Sequence, residues 1–271
     1  MTALSDVLDP LTITHWWRQP VSGVLTSTGD TGGISLGSPS GAIQGQSHPV
    51  TGEYSEFFDG SDDNHKSAIT TTTVNLATGT VAALFKTDAS ISYSVQKTIV
   101  NFITNSGGAI GMTLFFEQTS GDFIFRLQST YPTNYYELQI AAASHSLDDA
   151  GWHFVAVVQN GTAPAIYVDG TDVTSDFTES SAGTFDATDW LDTLITAGAN
   201  RMGIGAFGGS PTNTHNFHGY VGDVIVTSAQ LSASEISDIA VVMGVQTPSA
   251  RQVARGIVAA DGLTRELTRL I

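Results

Sequence analysis

The chain has 271 residues, of which 41% are hydrophobic, and a formal net charge of −16. This length fits one large all-β domain or two small domains, and the apolar fraction excludes wholesale disorder. Thr, Ser and Gly contribute 34, 27 and 28 residues, which suit strands and turns better than helices. The acidic balance argues against nucleic acid and anionic membranes as partners, because binding to both depends on Lys and Arg. No apolar run approaches the ~18 residues that a membrane helix needs.

Cysteine is absent, so the sequence predicts neither disulfides nor thiolate metal sites. The first ten residues lack the basic region and the apolar core of a secretory signal. We therefore expect synthesis in the cytoplasm, followed by retention there, export along another route or packaging into a particle.

Ten segments with strand-like patterns follow one another as far as residue 227. Turn dipeptides such as Asn160-Gly161 and Asp169-Gly170 separate several of them. In the segment that starts at Trp152 the even positions are apolar, which predicts that Phe154 lies on the buried face. The segments are 11–17, 80–85, 98–103, 110–116, 123–128, 135–141, 152–158, 165–168, 202–207 and 220–227. Together they predict an all-β fold, an antiparallel β-sandwich or jelly roll.

The periodicity changes after residue 231. Ser232 and Glu235 have the spacing of a capping box, and apolar residues then recur with helical period until Gly244. Pro248 opens a second helical stretch, since proline is favoured at the first helical position. We therefore expect a β-sandwich over residues 1–246 and a helical C-terminal tail over 247–271, which acts in attachment or docking. The tail holds four of the ten basic residues, and a basic tail on an acidic chain suits an acidic partner.

An acidic loop follows the apolar pair at 57–58. Asp59, Asp62, Asp63 and Asn64 place several oxygen ligands close together, and Ca²⁺ prefers about six to eight such hard ligands. The alternative is a solvated turn in which Asp59-Gly60 supplies the tight bend. The sequence leaves both interpretations open.

The strongest local pattern is a hairpin, GWHFVAVVQNG at 151–161 followed by AIYVDG at 165–170. This hairpin resembles the laminin-G-like, concanavalin A-like jelly rolls. Three further segments occur in that family's order: HWWR at 15–18, FFDGSDD at 57–63 and FHGYVGDVIVTSAQLSASEI at 217–236. Together the four segments span roughly residues 10–243, and the tail lies outside the resemblance.

The resemblance implies a sandwich of two curved antiparallel sheets, a fold that often binds glycans or proteins. Since many members hold Ca²⁺ at the rim of the sheets, it also implies Asp59, Asp62, Asp63 and Asp223 as candidate calcium ligands. Members that hydrolyse glycans carry E-x-D-x-x-E on a central strand, with two carboxyl groups on one face. The sequence contains no such motif, and we therefore expect no enzymatic activity.

Four aromatic residues are candidates for stacking on a sugar ring: Tyr131, Tyr135, Tyr136 and Trp190. Each could instead cover the sheet, because aromatic side chains mostly serve burial.

These features predict a non-enzymatic virion structural protein of a phage, built on a lectin-like jelly roll and located on the particle surface. Capsid decoration, a head fibre and a receptor-binding tail fibre all fit. The expected partners are a capsid or tail protein, further copies of the chain in a homo-oligomer, and a glycan. The alternatives are a calcium-dependent carbohydrate-binding module and, less favoured, a glycoside hydrolase.

Overall fold

A computed structural model describes residues 15–17, 25–26, 35–36, 40–69, 74–104, 110–207 and 215–246, so the predicted tail lies outside the described residues. At 15–16, 25–26, 35–36 and 67–68 the backbone alone is described. The strands are β1 (His15–Trp17), β2 (Leu25–Thr26), β3 (Ser35–Leu36), β4 (Ile43–Gln46), β5 (Ser55–Asp59), β6 (His65–Ala68), β7 (Gly79–Thr87), β8 (Lys97–Ile103), β9 (Gly111–Phe116), β10 (Phe123–Thr130), β11 (Asn134–Ile140), β12 (Trp152–Gln159), β13 (Pro164–Val168), β14 (Thr171–Asp172), β15 (Thr178–Ala182), β16 (Arg201–Ile204) and β17 (His218–Thr227). The helices are α1 (Leu191–Thr196) and α2 (Ala233–Val242), with 3₁₀ turns at Ala142–Ser144 and Thr174–Asp176. Neither α-helix in this part of the chain is long and apolar enough to cross a bilayer.

Two antiparallel sheets form a sandwich, as the sequence predicts. The eight-stranded sheet has the order β14-β13-β12-β7-β17-β5-β4, and β1 pairs beside β17. The seven-stranded sheet has the order β15-β11-β10-β9-β8-β16-β6, while β2 and β3 form a separate pair. All ten predicted strand segments overlap observed strands. The architecture is consistent with a concanavalin A-like jelly roll.

The main core lies between the two sheets and is rich in aromatic side chains. Each sheet contributes its inward-facing residues, because successive side chains of a strand point to opposite faces. Fully buried members include Trp17, Phe58, Phe85, Phe102, Phe116, Phe123 and Phe125. The apolar residues of α1 and Trp190, which precedes it, complete this core.

A second core lies on the outer face of the eight-stranded sheet, beneath α2. Phe154 belongs to this second cluster, whereas Val155 and Val157 face the inter-sheet core. The prediction of one buried face for this strand is therefore wrong, because the helix covers the sheet's other side. The outer cluster consists of Ala82, Leu84, Phe154, Ala156, Val158, Tyr167, Ile225, Leu231, Ile236, Ile239, Ala240, Val241, Val242 and Met243.

The start of α2 confirms the predicted capping box. The Ser232 hydroxyl accepts the backbone N–H of Glu235 at 3.3 Å, and the Glu235 carboxylate accepts the N–H of Ser232 at 2.7 Å. Gly244, with φ +74°, follows the helix in the left-handed conformation that ends many helices.

A β-bulge interrupts β17 at Gly222 and Asp223. Val221 pairs with Phe85 and Val224 pairs with Ala83, so two residues of β17 oppose Leu84 alone. On its other side, β17 pairs with β5 before the bulge and with β1 after it. The extra residue changes which side chains of β17 face the core.

Candidate functional site

The acidic loop between β5 and β6 brings together three of the four predicted metal ligands. Carboxylate oxygens of Asp59, Asp62 and Asp63 all lie within 4.8 Å of one another, and no other described residues form such a group. The Ser61 N–H donates to Asp59 Oδ1 at 2.8 Å, and the Asp59 N–H donates to Asp63 Oδ2 at 2.5 Å. Backbone donors therefore hold two of the three carboxylates in place.

The three carboxylates differ in exposure. Asp59 and Asp62 are exposed, whereas Asp63 is buried. Burial, together with the nearby charges of Asp59 and Asp62, raises the pKa of the Asp63 carboxyl to about 6, although the hydrogen bond from the Asp59 N–H opposes the shift. A positive ion at this loop would stabilise the ionised form of the Asp63 carboxyl.

The donor set of the acidic loop fits calcium. Ca²⁺ binds oxygens at about 2.3–2.6 Å, so two ligands of one ion lie at most about 5 Å apart, as these three do. Gly41 closes the loop from one side, since a Cβ at this position would lie only 2.0 Å from Asp63 Oδ1. When bound, Ca²⁺ would offset two of the three negative charges and tie the β5–β6 connection together.

Asp223 does not lie at this loop, which corrects the four-residue ligand set. In the β5–β17 register Asp59 opposes His218, whereas Asp223 follows Val221, which opposes Glu56. The buried Asp223 carboxylate instead lies 3.0 Å from His48 Nε2. Since His48 Nδ1 accepts the N–H of Val50 at 3.0 Å, Nε2 carries the proton and donates to Asp223.

Two of the four predicted stacking residues meet at the β10–β11 turn. The rings of Tyr131 and Tyr135 are edge to face, with centroids 5.0 Å apart. Tyr131 is 48% exposed and is one of the few large apolar side chains on the described surface.

Tyr136 and Trp190 lie in the inter-sheet core, so neither is accessible to a sugar. Tyr136 is 1% exposed, because it alternates with Tyr135 along β11 and faces the other side of the sheet. Trp190 is completely buried, with its ring 5.8 Å from that of Phe125. Burial also raises the pKa of the Tyr136 hydroxyl, and the nearby Glu179 adds to the shift.

The guanidinium group of Arg126 stacks on the ring of Tyr131. Its guanidinium carbon lies 3.8 Å from the ring centroid of Tyr131 and 4.8 Å from that of Phe115. Arg126 Nε donates to Glu137 Oε2 at 2.6 Å, and a second nitrogen lies 3.5 Å from Glu117 Oε2. The guanidinium is thus held by two rings and two carboxylates.

We name Tyr131, Tyr135, Arg126, Glu117 and Glu137 the Tyr131 surface. The strand residues among them alternate with the inward-facing Phe125, Leu127, Tyr136 and Leu138, and so lie on the outer face of the seven-stranded sheet. Sequence reasoning missed Arg126 and Glu137. The available signal was that Arg126 and Glu137 are the single charged residues, of opposite sign, in two consecutive strands that pair with each other.

Asn134 fixes the turn that carries Tyr131. Its side-chain oxygen accepts the N–H groups of Thr184 and Phe185 at 2.7 and 3.1 Å, and its amide donates to Ser129 Oγ at 2.6 Å. The turn is therefore tied both to its own strand and to the segment after β15.

The sequence matches the family model described as the concanavalin A-like lectin/glucanases superfamily over residues 59–237. The chain belongs to this superfamily. No curated protein matches this concanavalin A-like chain.

Solved structures share the fold at low identity. A CBM40 domain of the Ruminococcus gnavus IT-sialidase, bound to α2,3-sialyllactose, has a TM-score of 0.50 and 15% identity, over 69% of this chain and 97% of that one. The binding domain of botulinum neurotoxin DC, in complex with SialylT, has a TM-score of 0.57 and 10% identity, over 86% and 52%. Domain 4 of AbnA, a GH43 arabinanase from Geobacillus stearothermophilus in complex with arabinotriose, has a TM-score of 0.51 and 13% identity, over 75% and 83%.

In this concanavalin A-like domain, a histidine holds together the hairpin that carries the family pattern. His153 Nδ1 lies 2.9 Å from Asp169 Oδ2, and its Nε2 lies 3.1 Å from Asp149 Oδ1. Burial of His153 lowers its pKa, but the hydrogen bonds and charges of Asp169 and Asp149 outweigh burial and leave the pKa raised. This network is structural, because it joins the start of β12 to the β13–β14 turn.

The acidic loop and the Tyr131 surface lie at opposite ends of the seven-stranded sheet. A register row is the set of residues that pair directly with one another across neighbouring strands. His65, which follows the acidic loop, is in the same register row as Phe125. Ala68, at the other end of β6, shares its row with Gln128, just before the Tyr131 turn. The domain therefore has two separate candidate sites.

Proposed function

We propose that this domain is a non-enzymatic glycan-binding module that holds sugars on the Tyr131 surface. One observation carries the proposal: an exposed tyrosine ring is fixed in place by a guanidinium that is itself held by two carboxylates. An aromatic ring fixed before the ligand arrives loses little conformational freedom on binding.

The chemistry of this surface suits a sugar. An aromatic face packs against the C–H groups of a pyranose or furanose ring, while nearby polar groups set its orientation. The Glu117 carboxylate is partly exposed beside Arg126 and can accept hydrogen bonds from hydroxyl groups. Three solved domains of this fold are in complex with α2,3-sialyllactose, SialylT and arabinotriose, which supports the proposal.

A binding role without catalysis fits the carboxylates at this surface. Glycoside hydrolysis requires one protonated carboxyl group and a second carboxylate to act together. Here Glu117 and Glu137 both bind the guanidinium of Arg126, at 3.5 and 2.6 Å, and thereby position it beneath the Tyr131 ring. We expect no hydrolysis of glycans that the domain binds.

A Tyr131→Ala variant tests the site. We expect a glycan array with sialylated, arabinan and neutral glycans to detect binding by the wild type, and Tyr131→Ala to weaken it about tenfold, the loss of roughly 1.4 kcal/mol. Tyr54→Ala is the matched control, because Tyr54 is also a surface tyrosine, 39% exposed, outside the Tyr131 surface. Equal loss in both variants, or no binding by the wild type, would contradict the proposal.

We also propose that the acidic loop binds Ca²⁺ through Asp59, Asp62 and Asp63. An ion that binds only the folded chain raises the melting temperature. We expect calcium to stabilise the wild type against chelator and to leave Asp63→Asn unaffected. Wild-type melting curves that superpose in calcium and in chelator would remove this proposal.

A place for the domain on a phage particle stays a prediction from the sequence. The features that support it are the absence of cysteine and the basic, apolar composition of residues 247–271. Analytical ultracentrifugation of the full chain and of a truncation after Gln246 tests the attachment role. We expect the truncated chain to keep its melting temperature and to lose oligomers or particle binding; unfolding on truncation would contradict an attachment role.

A further inference from the structure

A second aromatic surface lies on the outer face of the eight-stranded sheet. One straight register row crosses five adjacent strands, from β4 to β12. In order, its residues are Ile43, Phe57, Tyr220, Lys86 and Trp152. We name these residues the outer row.

The outer row is accessible to a ligand. Ile43 is 56% exposed, and the other four side chains are partly exposed. Directly paired residues share a face of the sheet, and the neighbours of the row in sequence, such as Phe58, Phe85 and Val221, face the inter-sheet core. The whole row therefore points away from the core.

Its three aromatic rings form a continuous surface. The centroids of Phe57 and Tyr220 are 4.9 Å apart, and those of Tyr220 and Trp152 are 6.2 Å apart. Lys86 Nζ lies 5.5 Å from the Tyr220 centroid, so the row also offers an ammonium group. Consecutive ring planes are tilted by 49° and 55°, which suits a single twisted chain better than a flat crystalline surface.

A buried histidine supports one end of the row. The His48 ring lies 5.7 Å from that of Trp152, and its side chain is fully buried and bonded to Asp223. Gly222 makes room for this ring, since a Cβ there would lie 2.9 Å from His48 Nε2. Trp152 is therefore held in position without a ligand.

Size and charge select the kind of partner. A whole aromatic side chain offers about 150–250 Å², so three partly exposed rings present on the order of 300 Å², below the roughly 800 Å² per partner of a stable protein interface. Nucleic acid bases also stack on aromatic rings, but a net charge of −16 repels a polyanion. A slender, uncharged ligand with apolar ring faces and hydroxyl groups satisfies both limits.

We propose that the outer row binds a single neutral polysaccharide chain, which lies across the strands with sugar rings stacked on Phe57, Tyr220 and Trp152. The Lys86 ammonium donates hydrogen bonds to hydroxyl oxygens along the chain. This inference extends the proposed glycan binding to a second face and does not depend on the Tyr131 surface.

Affinity electrophoresis of the full chain tests the outer row. The native gels contain hydroxyethylcellulose, arabinoxylan, laminarin or dextran as the probe. We expect at least one polymer to retard the wild type, and Trp152→Ala and Tyr220→Ala to weaken that binding by about tenfold or more, as the loss of a stacked ring does. Trp152→Phe keeps a ring and should retain most of the binding.

Tyr131→Ala separates the two faces. Retardation that survives Tyr131→Ala but is lost in Tyr220→Ala assigns the polymer to the outer row. Loss in Tyr131→Ala with none in the outer-row variants would overturn this inference and support the first site instead. Absence of retardation by all four polymers would also overturn it. Circular dichroism verifies folding, and if Trp152→Ala unfolds, Tyr220→Ala and Trp152→Phe decide the outcome.

Discussion

The outer face of the eight-stranded sheet has two halves, one covered by α2 and one partly exposed to solvent. Beneath α2, the strands present small or aliphatic side chains such as Ala82, Leu84 and Ala156, and the helix seals them from water. Next to the helix, β7, β12 and β17 join β4 and β5 in the outer row, where large rings and a lysine remain partly exposed. Burial in the covered half contributes to stability, whereas the open half keeps its apolar surface available for a ligand.

The largest expected effect distinguishes the two halves directly. Phe154→Ala should destabilise the domain by about 3–5 kcal/mol, because it removes a fully buried ring beneath α2. Trp152→Ala, two residues earlier on the same face, should cost only about 1–2 kcal/mol, because this ring is partly exposed. Urea denaturation of both variants measures the contrast. Equal losses would mean that the row is as much part of the core as the covered half.

Gly170→Ala should loosen the contact between the β13–β14 turn and α2. Gly170 has φ +81°, and a Cβ there would lie 3.0 Å from the Ala240 Cβ and 2.8 Å from Gln246 Oε1. Gly52→Ala is the matched control, since Gly52 has φ +87° with nothing within 4 Å of such a Cβ. Both variants bear the backbone cost of a left-handed residue, and Gly170→Ala should lose about 1–3 kcal/mol more through overpacking. Similar free energies of unfolding in the two variants would show that the helix adjusts without cost.

Ser232→Ala should destabilise α2 by about 1 kcal/mol, because the first turn loses its side-chain cap. Glu235→Gln is the control, since a glutamine can still accept the hydrogen bond from the Ser232 N–H. Thermal melts provide the measurement. If binding to the outer row stays unchanged in Ser232→Ala while stability falls, the two halves are functionally separate.

The smallest effect concerns pH. Because the folded pKa of His153 is raised, its ion pairs stabilise the domain fully below the unfolded value of about 6.5 and lose this contribution as pH rises through the folded pKa. Melting curves of the wild type and of His153→Gln should therefore differ most in mildly acidic buffer and converge as pH increases. A difference that grows with pH would show that His153 is neutral in the fold.

The sequence predicted the sandwich well because most strands carry an ordinary apolar pattern. It missed seven of the seventeen described strands, β2–β6, β14 and β15. In β5 and β6 polar side chains are buried: Glu56 and His65 are both fully buried, and their side chains lie 2.5 Å apart between the sheets. A buried polar pair removes the alternation on which strand prediction depends. The prediction of α2 succeeded because its signals, a cap and a stop, are local in sequence.

The candidate sites also differ in how much of each the sequence reveals. The clustering of the acidic loop was predictable because its three carboxylates lie within five residues, whereas the position of Asp223 depended on a register that the sequence does not reveal. Alternation with Leu138 and Ile140 was an unused signal that Tyr136 faces inward, whereas the burial of Trp190 depends on how α1 packs. The outer row joins five strands that are distant in sequence, so only the three-dimensional pairing identifies it.

The bulge at Gly222 and Asp223 determines which side chains of β17 face the core on either side of it. Up to Val221 the odd-numbered residues of β17 face the core, and from Val224 the even-numbered ones do. Without the extra residue a single residue would oppose Leu84 and the strand would alternate regularly, so deletion of Gly222 or Asp223 should leave Tyr220 in the outer row and keep Val224 and Val226 on the core face. A one-residue deletion elsewhere in β17 would turn the side chains beyond it to the opposite face, so the bulge is the place where this strand can lose a residue and keep both faces.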